Sequence, residues 1–219
     1  MSISFPNESS EYRKTRNKLL IAENELRDKV EAVAALRRTL PMGGQVEYDY
    51  EFKNLINEQV KFSDLFNRNK YSLLVYSYMV GPGDDAPCPA CTSILDALEG
   101  TALHLTQVAN LAVVISGSIE KAKQIKQARG WKNLEILSCN GNDYNRHYLG
   151  ETADGAQMPM LNVFHKQGTT VYHFWGSELL YSPCDGDPRH VDQLWPLWNA
   201  LDLTPEGRAD DLPRLSYET

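Results

Sequence analysis

The chain has little cysteine, no surplus of basic charge and no long hydrophobic run, and each shortage argues against a class of protein. Four cysteines in 219 residues are too few for a disulfide scaffold, so any cysteine chemistry is local. Lys and Arg total 22 against 29 Asp and Glu, which argues against nucleic acid or an anionic membrane as partner because both need a basic face. The longest apolar stretch, residues 73–80, is far below the roughly 18 residues of a membrane helix. We therefore expect a soluble, cytoplasmic protein.

An N-terminal segment differs in composition from the rest of the chain. Residues 10–40 carry eight Lys or Arg against five Asp or Glu, although the whole chain has a formal net charge of −7. Apolar residues recur there at alternating spacings of three and four, which predicts one long amphipathic helix. Ser9 or Ser10 is suited to cap its start, and Pro41 to stop it. We expect a helical arm at residues 1–45.

Two interpretations of this arm stay open. Its apolar seam is typical of a short coiled coil or of a helix that clasps a second subunit, which would make the protein a homodimer. The seam supports only about three heptads, so packing of the helix on its own domain explains the pattern equally well.

The remainder, residues 46–219, is expected to form one α/β domain. Short β-rich apolar runs alternate there with helical patterns, which predicts a parallel sheet core. The predicted strands lie at 46–52, 71–80, 111–116 and 134–139, followed by a hairpin of 161–165 and 170–175. A short turn or helix is predicted at 62–66, and helices from residue 88 onward with a candidate break near Gly100, at 119–129 and at 191–201.

The sequence Cys88-Pro89-Ala90-Cys91 lies where a predicted buried strand meets a predicted helix. Free backbone N–H groups and the helix dipole stabilise an anion there, and a thiolate is such an anion. With Cys88 at the helix cap and Cys91 one turn later, the two sulfurs come within disulfide reach, while Pro89 suits the first helical position. We expect Cys88 to be the nucleophile and Cys91 the cysteine that resolves a mixed disulfide.

The cysteine pair also has other interpretations. Cys88 and Cys91 could be two of the four ligands of a zinc site, but the remaining cysteines, Cys139 and Cys184, are isolated and the sequence offers no second pair of ligands. Haem attachment is excluded because Thr92 stands where a histidine is needed. A structural pair without turnover stays open. We expect no metal and no cofactor.

A proline also precedes the predicted hairpin, in Met158-Pro159-Met160. Proline lacks the N–H that a sheet ladder uses, so its place at the start of a strand needs a reason. An ordinary loop proline is the alternative to a functional one.

Several phrases of the sequence resemble a bacterial thioredoxin-like family of predicted dithiol-disulfide oxidoreductases, formerly an uncharacterised domain family. These phrases are RRTLP, VEYDYEF, FSDLFNRNKYSLLVYSYMVGPGDDAPCPAC, GNDYNRHYLG and LDLTPEGR. The resemblance implies a thioredoxin-like fold, a central mixed β-sheet flanked by helices, here with a long N-terminal helical extension. It further implies that Pro159 is a cis-proline facing the C-x-x-C and that Met158 and Pro159 bind the backbone of an extended substrate. In thioredoxins a carboxylate accepts the proton of the second cysteine of the pair. Asp84 or Asp85 is the candidate for this role toward Cys91, with helix capping or plain solvent exposure as the alternatives.

The function predicted on this basis is thiol-disulfide oxidoreduction of a protein or small-molecule disulfide. One rival is a peroxiredoxin-like thiol peroxidase, whose pattern P-x-x-x-T-x-x-C fits poorly, since aligning Cys88 puts Asp85 at the Thr position. The other rival is a non-catalytic binding or scaffold protein, because a fold does not prove an activity.

Overall fold

The computed structural model describes residues 4–67, 69–208 and 213–217, and internal contacts divide the chain into two units, Met1–Pro41 and Met42–Thr219. The first unit contains one helix, α1 (Ser10–Arg38). Ser9 is its N-cap and accepts the N–H of Tyr12 at 3.0 Å. The long helix predicted from the apolar spacing is therefore present. No residue of α1 is buried.

The second unit contains a seven-stranded mixed sheet with the order β2-β1-β5-β4-β3-β6-β7. Strands β3, β4 and β5 are parallel, and every other neighbouring pair is antiparallel. The strands are β1 (Glu51–Lys53), β2 (Gln59–Lys61), β3 (Ser72–Ser77), β4 (Asn110–Ile115), β5 (Ile136–Ser138), β6 (Leu161–Gln167) and β7 (Thr170–Gly176).

Helices connect these strands and follow the last one. The α-helices are α2 (Pro89–Leu105), α3 (Ile119–Arg129), α4 (Tyr144–His147) and α5 (Pro196–Leu201), with 3-10 turns at Phe62–Leu65, Glu178–Tyr181 and Asp192–Leu194. Helix α2 connects parallel β3 to β4 and α3 connects β4 to β5, while the β6–β7 hairpin pairs antiparallel with β3. This is the thioredoxin-like α/β arrangement, so the predicted fold class is confirmed. Among the described helices, none combines the length and apolarity needed to cross a bilayer.

The sheet has two different buried faces because successive residues of a strand point to opposite sides. The helix face packs Tyr76 and Val113 against α2 residues such as Leu95. The aromatic face gathers five buried rings, those of Tyr50, Phe52, Phe62, Tyr144 and Phe164. The cysteine pair belongs to the helix face.

The predicted strand at 46–52 is much shorter than expected and consists only of β1. Val46 N donates to Val171 O at 2.9 Å, and Gln45 bridges Tyr172, so the segment starts beside β7. Lys53 pairs with Ser138 of β5, far across the same sheet. A segment that crosses a sheet cannot pair with one strand along its length, which is why the predicted strand is short. The alternating apolar residues arise instead because Tyr50 and Phe52 are buried on the aromatic face.

Two helix predictions also need correction. The helix expected at 191–201 is a 3-10 turn followed by α5, since Pro196 disfavours helical backbone at Trp195, which has φ −121° and ψ 84°. Helix α2 passes Gly100 without a break. The helix at 119–129 ends as predicted, with Gly130 in the left-handed region at φ 69°.

Candidate active site

Cys88 occupies the N-cap position of α2, directly after the loop that follows β3. Its Sγ accepts the N–H of Cys91 at 3.5 Å, and its own N–H donates to Met79 O at 3.3 Å. Pro89 lies at the start of the helix, as expected, where its missing N–H is not needed. Cys88 is half-buried, whereas Cys91 is only 1 % exposed, and both are free thiols. The more accessible sulfur is thus the one at the helix terminus.

The two thiols have opposite acid strengths. The pKa of Cys88 is lowered to about 6, first by the hydrogen bond from the Cys91 thiol and then by the backbone N–H groups of Cys91 and Ala90, against the effect of burial. The same hydrogen bond, together with burial, raises the pKa of Cys91 well above its usual value. Near neutral pH the pair therefore consists of a thiolate at Cys88 and a protonated thiol at Cys91.

Two tyrosines of the segment running from β3 lie behind the pair. The Tyr78 hydroxyl is hydrogen-bonded to Thr92 Oγ1 at 2.6 Å, and Thr92 Oγ1 donates to Cys88 O at 2.8 Å. Tyr76 is 0 % exposed, and its hydroxyl makes no well-formed hydrogen bond to any described group. It lies beside Cys91 and lowers the pKa of that thiol, against the larger effects that raise it. Sequence reasoning missed Tyr76 because aromatic residues in a buried strand usually serve only as core.

The two aspartates before the pair are exposed. Asp84 Oδ2 accepts the N–H of Gly81 at 2.5 Å, and Lys121 Nζ donates to Asp84 O at 2.5 Å, so this residue shapes the loop. Asp85 is exposed as well. Neither caps α2, because Cys88 itself holds that position. Of the interpretations given for these aspartates, solvent exposure is the one that fits both side chains.

A cavity of about 200 Å³ opens beside the cysteines. Pro159 lines it together with Cys88 and Cys91, so the structure brings the predicted proline to the predicted pair. Met158, which precedes it, is not among the lining residues. The other side of the cavity is formed by Leu180 and by residues between Asp187 and Trp198.

Hydrogen bonds within the chain already occupy the backbone around Pro159. His190 Nε2 donates to Pro159 O at 2.9 Å. Met158 N donates to Gly150 O at 2.9 Å, and Met158 O accepts the N–H of Met160 at 3.0 Å. Binding of an extended substrate by Met158 and Pro159 stays a prediction, and such a substrate would have to displace or share these contacts.

Two tryptophans, Trp195 and Trp198, also line the cavity. Trp195 Nε1 donates to Ser93 Oγ of α2 at 3.0 Å, and the rings of Trp195 and Trp198 lie 4.2 Å apart. Arg189 is held by ion pairs with Asp192 and Asp202. The Trp195–Ser93 hydrogen bond ties the segment after β7 to the N-terminal part of α2, and the ion pairs brace that segment internally.

The other two cysteines lie outside this cavity. Cys139 is buried on the aromatic face, where burial raises its pKa to about 11 and keeps it protonated. Cys184 is exposed. A buried thiol that stays protonated, such as that of Cys139, is a poor nucleophile.

Comparison with known proteins identifies the family of the chain. The family model described as "Bacterial protein of unknown function (DUF899)" matches residues 3–218. The chain belongs to the DUF899 family. No curated protein matches this DUF899 chain.

Several solved structures resemble this DUF899 protein weakly. Peroxidoxin BcpB from Mycobacterium tuberculosis has 15 % identity and a TM-score of 0.48, covering 74 % of this chain and 98 % of its own. Peroxiredoxin Q from Xanthomonas campestris has 13 % identity and a TM-score of 0.47, covering 74 % and 96 %. A thioredoxin lipoprotein from Streptococcus pneumoniae has 15 % identity and a TM-score of 0.42, covering 68 % and 99 %. Nothing about the reaction of this chain follows from similarities of this size.

Proposed function

We propose that the protein is a thiol-disulfide oxidoreductase in which Cys88 and Cys91 cycle between dithiol and disulfide. One observation carries this proposal: the Cys88 sulfur accepts the Cys91 N–H at a helix N-terminus while the Cys91 thiol lies beside it. A sulfur stabilised in this way is a thiolate at neutral pH, and the second thiol is within reach to complete the exchange.

The reaction has two displacement steps. The Cys88 thiolate attacks one sulfur of a substrate disulfide, forms a mixed disulfide and releases the other substrate sulfur as a thiolate. Cys91 then gives up its proton and attacks Cys88 Sγ, which forms the Cys88–Cys91 disulfide and releases the second substrate thiolate. The substrate gains two electrons and the protein loses two. A dithiol reductant of the cytoplasm, where we expect the protein to work, would restore the reduced pair.

The geometry supports a small-molecule disulfide better than an extended polypeptide. The cavity beside Cys88 holds about 200 Å³ and is closed on one side by Trp195 and Trp198. The carbonyl of Pro159 already accepts a hydrogen bond from His190, which leaves less free backbone there to pair with an extended peptide. A small-molecule disulfide needs no pairing with this backbone, so its reaction at Cys88 Sγ does not require the contact to break.

Single-turnover reaction with glutathione disulfide tests the proposal. The reduced protein is mixed with this disulfide, quenched with acid and analysed by mass spectrometry. We expect an internal disulfide in the unaltered protein, a trapped Cys88–glutathione adduct in Cys91→Ser and no adduct at the pair in Cys88→Ser. Cys184→Ser is the matched control and should react like the unaltered protein. Unchanged reactivity in Cys88→Ser would refute the assignment of the nucleophile.

The same reduced protein also distinguishes the proposed function from a thiol peroxidase and from a non-catalytic scaffold. The Thr92 hydroxyl already bonds Cys88 O and Tyr78, so it is not free to orient a peroxide at Cys88 Sγ. We therefore expect hydrogen peroxide to oxidise Cys88 no faster than it oxidises an ordinary thiolate. Rapid oxidation of Cys88 by peroxide would instead favour a peroxidase. Absence of both disulfide exchange and rapid peroxide oxidation would favour a scaffold.

A further inference from the structure

A second, larger cavity lies on the aromatic face of the sheet, and no step of the proposed reaction uses it. Its volume is about 550 Å³, within the usual range for small-molecule sites. The segment at 44–50, helix α4 and strands β6 and β7 contribute its walls. We propose that this cavity binds a small organic cation of the alkylammonium class.

Aromatic rings form a continuous wall of this cavity. The Tyr48 ring lies 6.0 Å from that of Tyr50 and 5.5 Å from that of His147, centroid to centroid. Tyr50 lies 6.0 Å from Tyr148, which in turn stacks on His173 at 5.7 Å. The faces of such rings carry negative potential, so a group of them around a cavity attracts a cation with a weakly held hydration shell.

Hydrogen bonds hold several of these rings in place. The Tyr50 hydroxyl is bonded to His147 Nδ1 at 2.8 Å. His173 Nε2 donates to Asn162 Oδ1 at 2.9 Å, and Asn162 Nδ2 donates to Tyr148 O at 2.9 Å. A wall fixed before the ligand arrives loses little conformational entropy on binding.

The charge of the cavity favours a cation as well. Glu47 and Glu178 line it, and none of its described lining residues is Lys or Arg. Burial lowers the pKa of His173, with Glu178 acting weakly in the opposite direction, so this ring is neutral at neutral pH. The described lining therefore carries two carboxylates, those of the exposed residues Glu47 and Glu178, and no Lys or Arg side chain.

The same composition argues against other ligands. An anion would meet two carboxylates and no Lys or Arg side chain among the described lining residues. The described residues include no group of three or more His, Cys, Asp or Glu placed to hold a metal ion. An organic cation is attracted both by the faces of the rings and by the two carboxylates.

This site does not depend on the proposed redox function. The described lining of this cavity shares no residue with that of the cavity beside Cys88. Cys88→Ser should therefore bind the cation as the unaltered protein does. Loss of binding would count against the cavity alone, and loss of thiol exchange would count against the cysteine pair alone.

Isothermal titration of the full chain with choline and with its neutral isostere 3,3-dimethylbutan-1-ol tests the proposal. We expect choline to bind about tenfold more tightly than the isostere, because shape is shared and charge is not. Equal binding of the two probes would overturn the proposal. So would the absence of binding of either probe at concentrations up to about 10 mM, which would detect a dissociation constant in the millimolar range.

Two substitutions locate the binding. Tyr48 is 57 % exposed, so Tyr48→Leu removes a ring without opening the core and should weaken choline binding about tenfold, whereas Tyr48→Phe should retain it. Glu178→Gln should also weaken binding of choline and leave the isostere unaffected. Choline binding that neither Tyr48→Leu nor Glu178→Gln changes would place the ligand elsewhere and refute the site.

Discussion

A cysteine at the N-cap of a helix has a different acidity from one in mid-helix, because free N–H groups surround its sulfur. Cys88 is such a residue, and its pKa is lowered to about 6. Since only the thiolate is alkylated, the rate of its reaction with iodoacetamide should rise with pH through a midpoint near 6 and then level off. An ordinary midpoint of ~8.5 would contradict the assigned geometry.

The Cys91 thiol is the largest cause of that acidity. Cys91→Ala removes the hydrogen-bond donor, so the midpoint for alkylation of Cys88 should rise. Cys91→Ser keeps a hydroxyl donor and should raise the midpoint less. Identical midpoints in the two variants would mean that backbone N–H groups alone set the acidity of Cys88.

Tyr76 is expected to assist Cys91 rather than Cys88. Its buried hydroxyl lowers the pKa of Cys91, and so favours the thiolate that attacks the mixed disulfide. Tyr76→Phe removes only the hydroxyl beside Cys91 and should slow this resolution step about tenfold, because a buried polar group that stabilises the attacking thiolate is lost. The pH midpoint of Cys88 alkylation should not move. A change in that midpoint, with resolution unaffected, would contradict this role.

At the scale of elements, two glycines allow a matched test of the helices. Gly130 ends α3 in the left-handed region at φ 69°, whereas Gly100 lies inside α2, and a Cβ on either would meet no atom within 4 Å. Gly130→Ala should therefore lower the free energy of unfolding by about 1 kcal/mol through backbone strain. Gly100→Ala should raise it by roughly 0.5–1 kcal/mol. Urea denaturation measures both, and equal signs for the two changes would contradict the assigned helix boundaries.

The sequence allowed most elements to be predicted where one periodicity covered a whole segment. Strands β3 and β4 were found because they are buried on both faces, and α3 because Ser118 and Gly130 mark its ends. Prediction failed where a segment changes partners, as at 46–52, or where a proline divides a helix, as at Pro196. The contacts that decide these cases join residues far apart in the chain.

The candidate site was predictable to a similar extent. The pair Cys88 and Cys91 has a recognisable spacing, and the family resemblance implied that Pro159 lies beside it, where it lines the same cavity. Tyr76 and the wall formed by Trp195 and Trp198 depend on packing across the helix face and have no local signal. Acidity at Cys88 likewise depends on three-dimensional neighbours, so its direction could not be derived from the sequence.

At the scale of the whole molecule, the interpretation of α1 as a dimerisation arm leads to a distinct prediction. Large apolar side chains such as Leu26, Val30 and Leu36 are exposed on this helix. Light scattering after gel filtration should give the mass of two chains, and Leu26→Glu with Val30→Glu should give the mass of one. A single-chain mass for the unaltered protein would refute the arm hypothesis and leave the redox proposal intact.

Redox titration of the whole protein tests most directly whether Cys88 and Cys91 cycle between dithiol and disulfide. The protein is equilibrated with glutathione buffers of graded ratio, and its free thiols are then alkylated and identified by mass spectrometry. We predict one reversible two-electron transition that joins Cys88 to Cys91, with a potential between ~−270 mV and ~−120 mV, because a stabilised thiolate favours the reduced form. Cysteines 88 and 91 that stay unlinked at every ratio, or that pair with Cys139 or Cys184 instead, would contradict the proposed function.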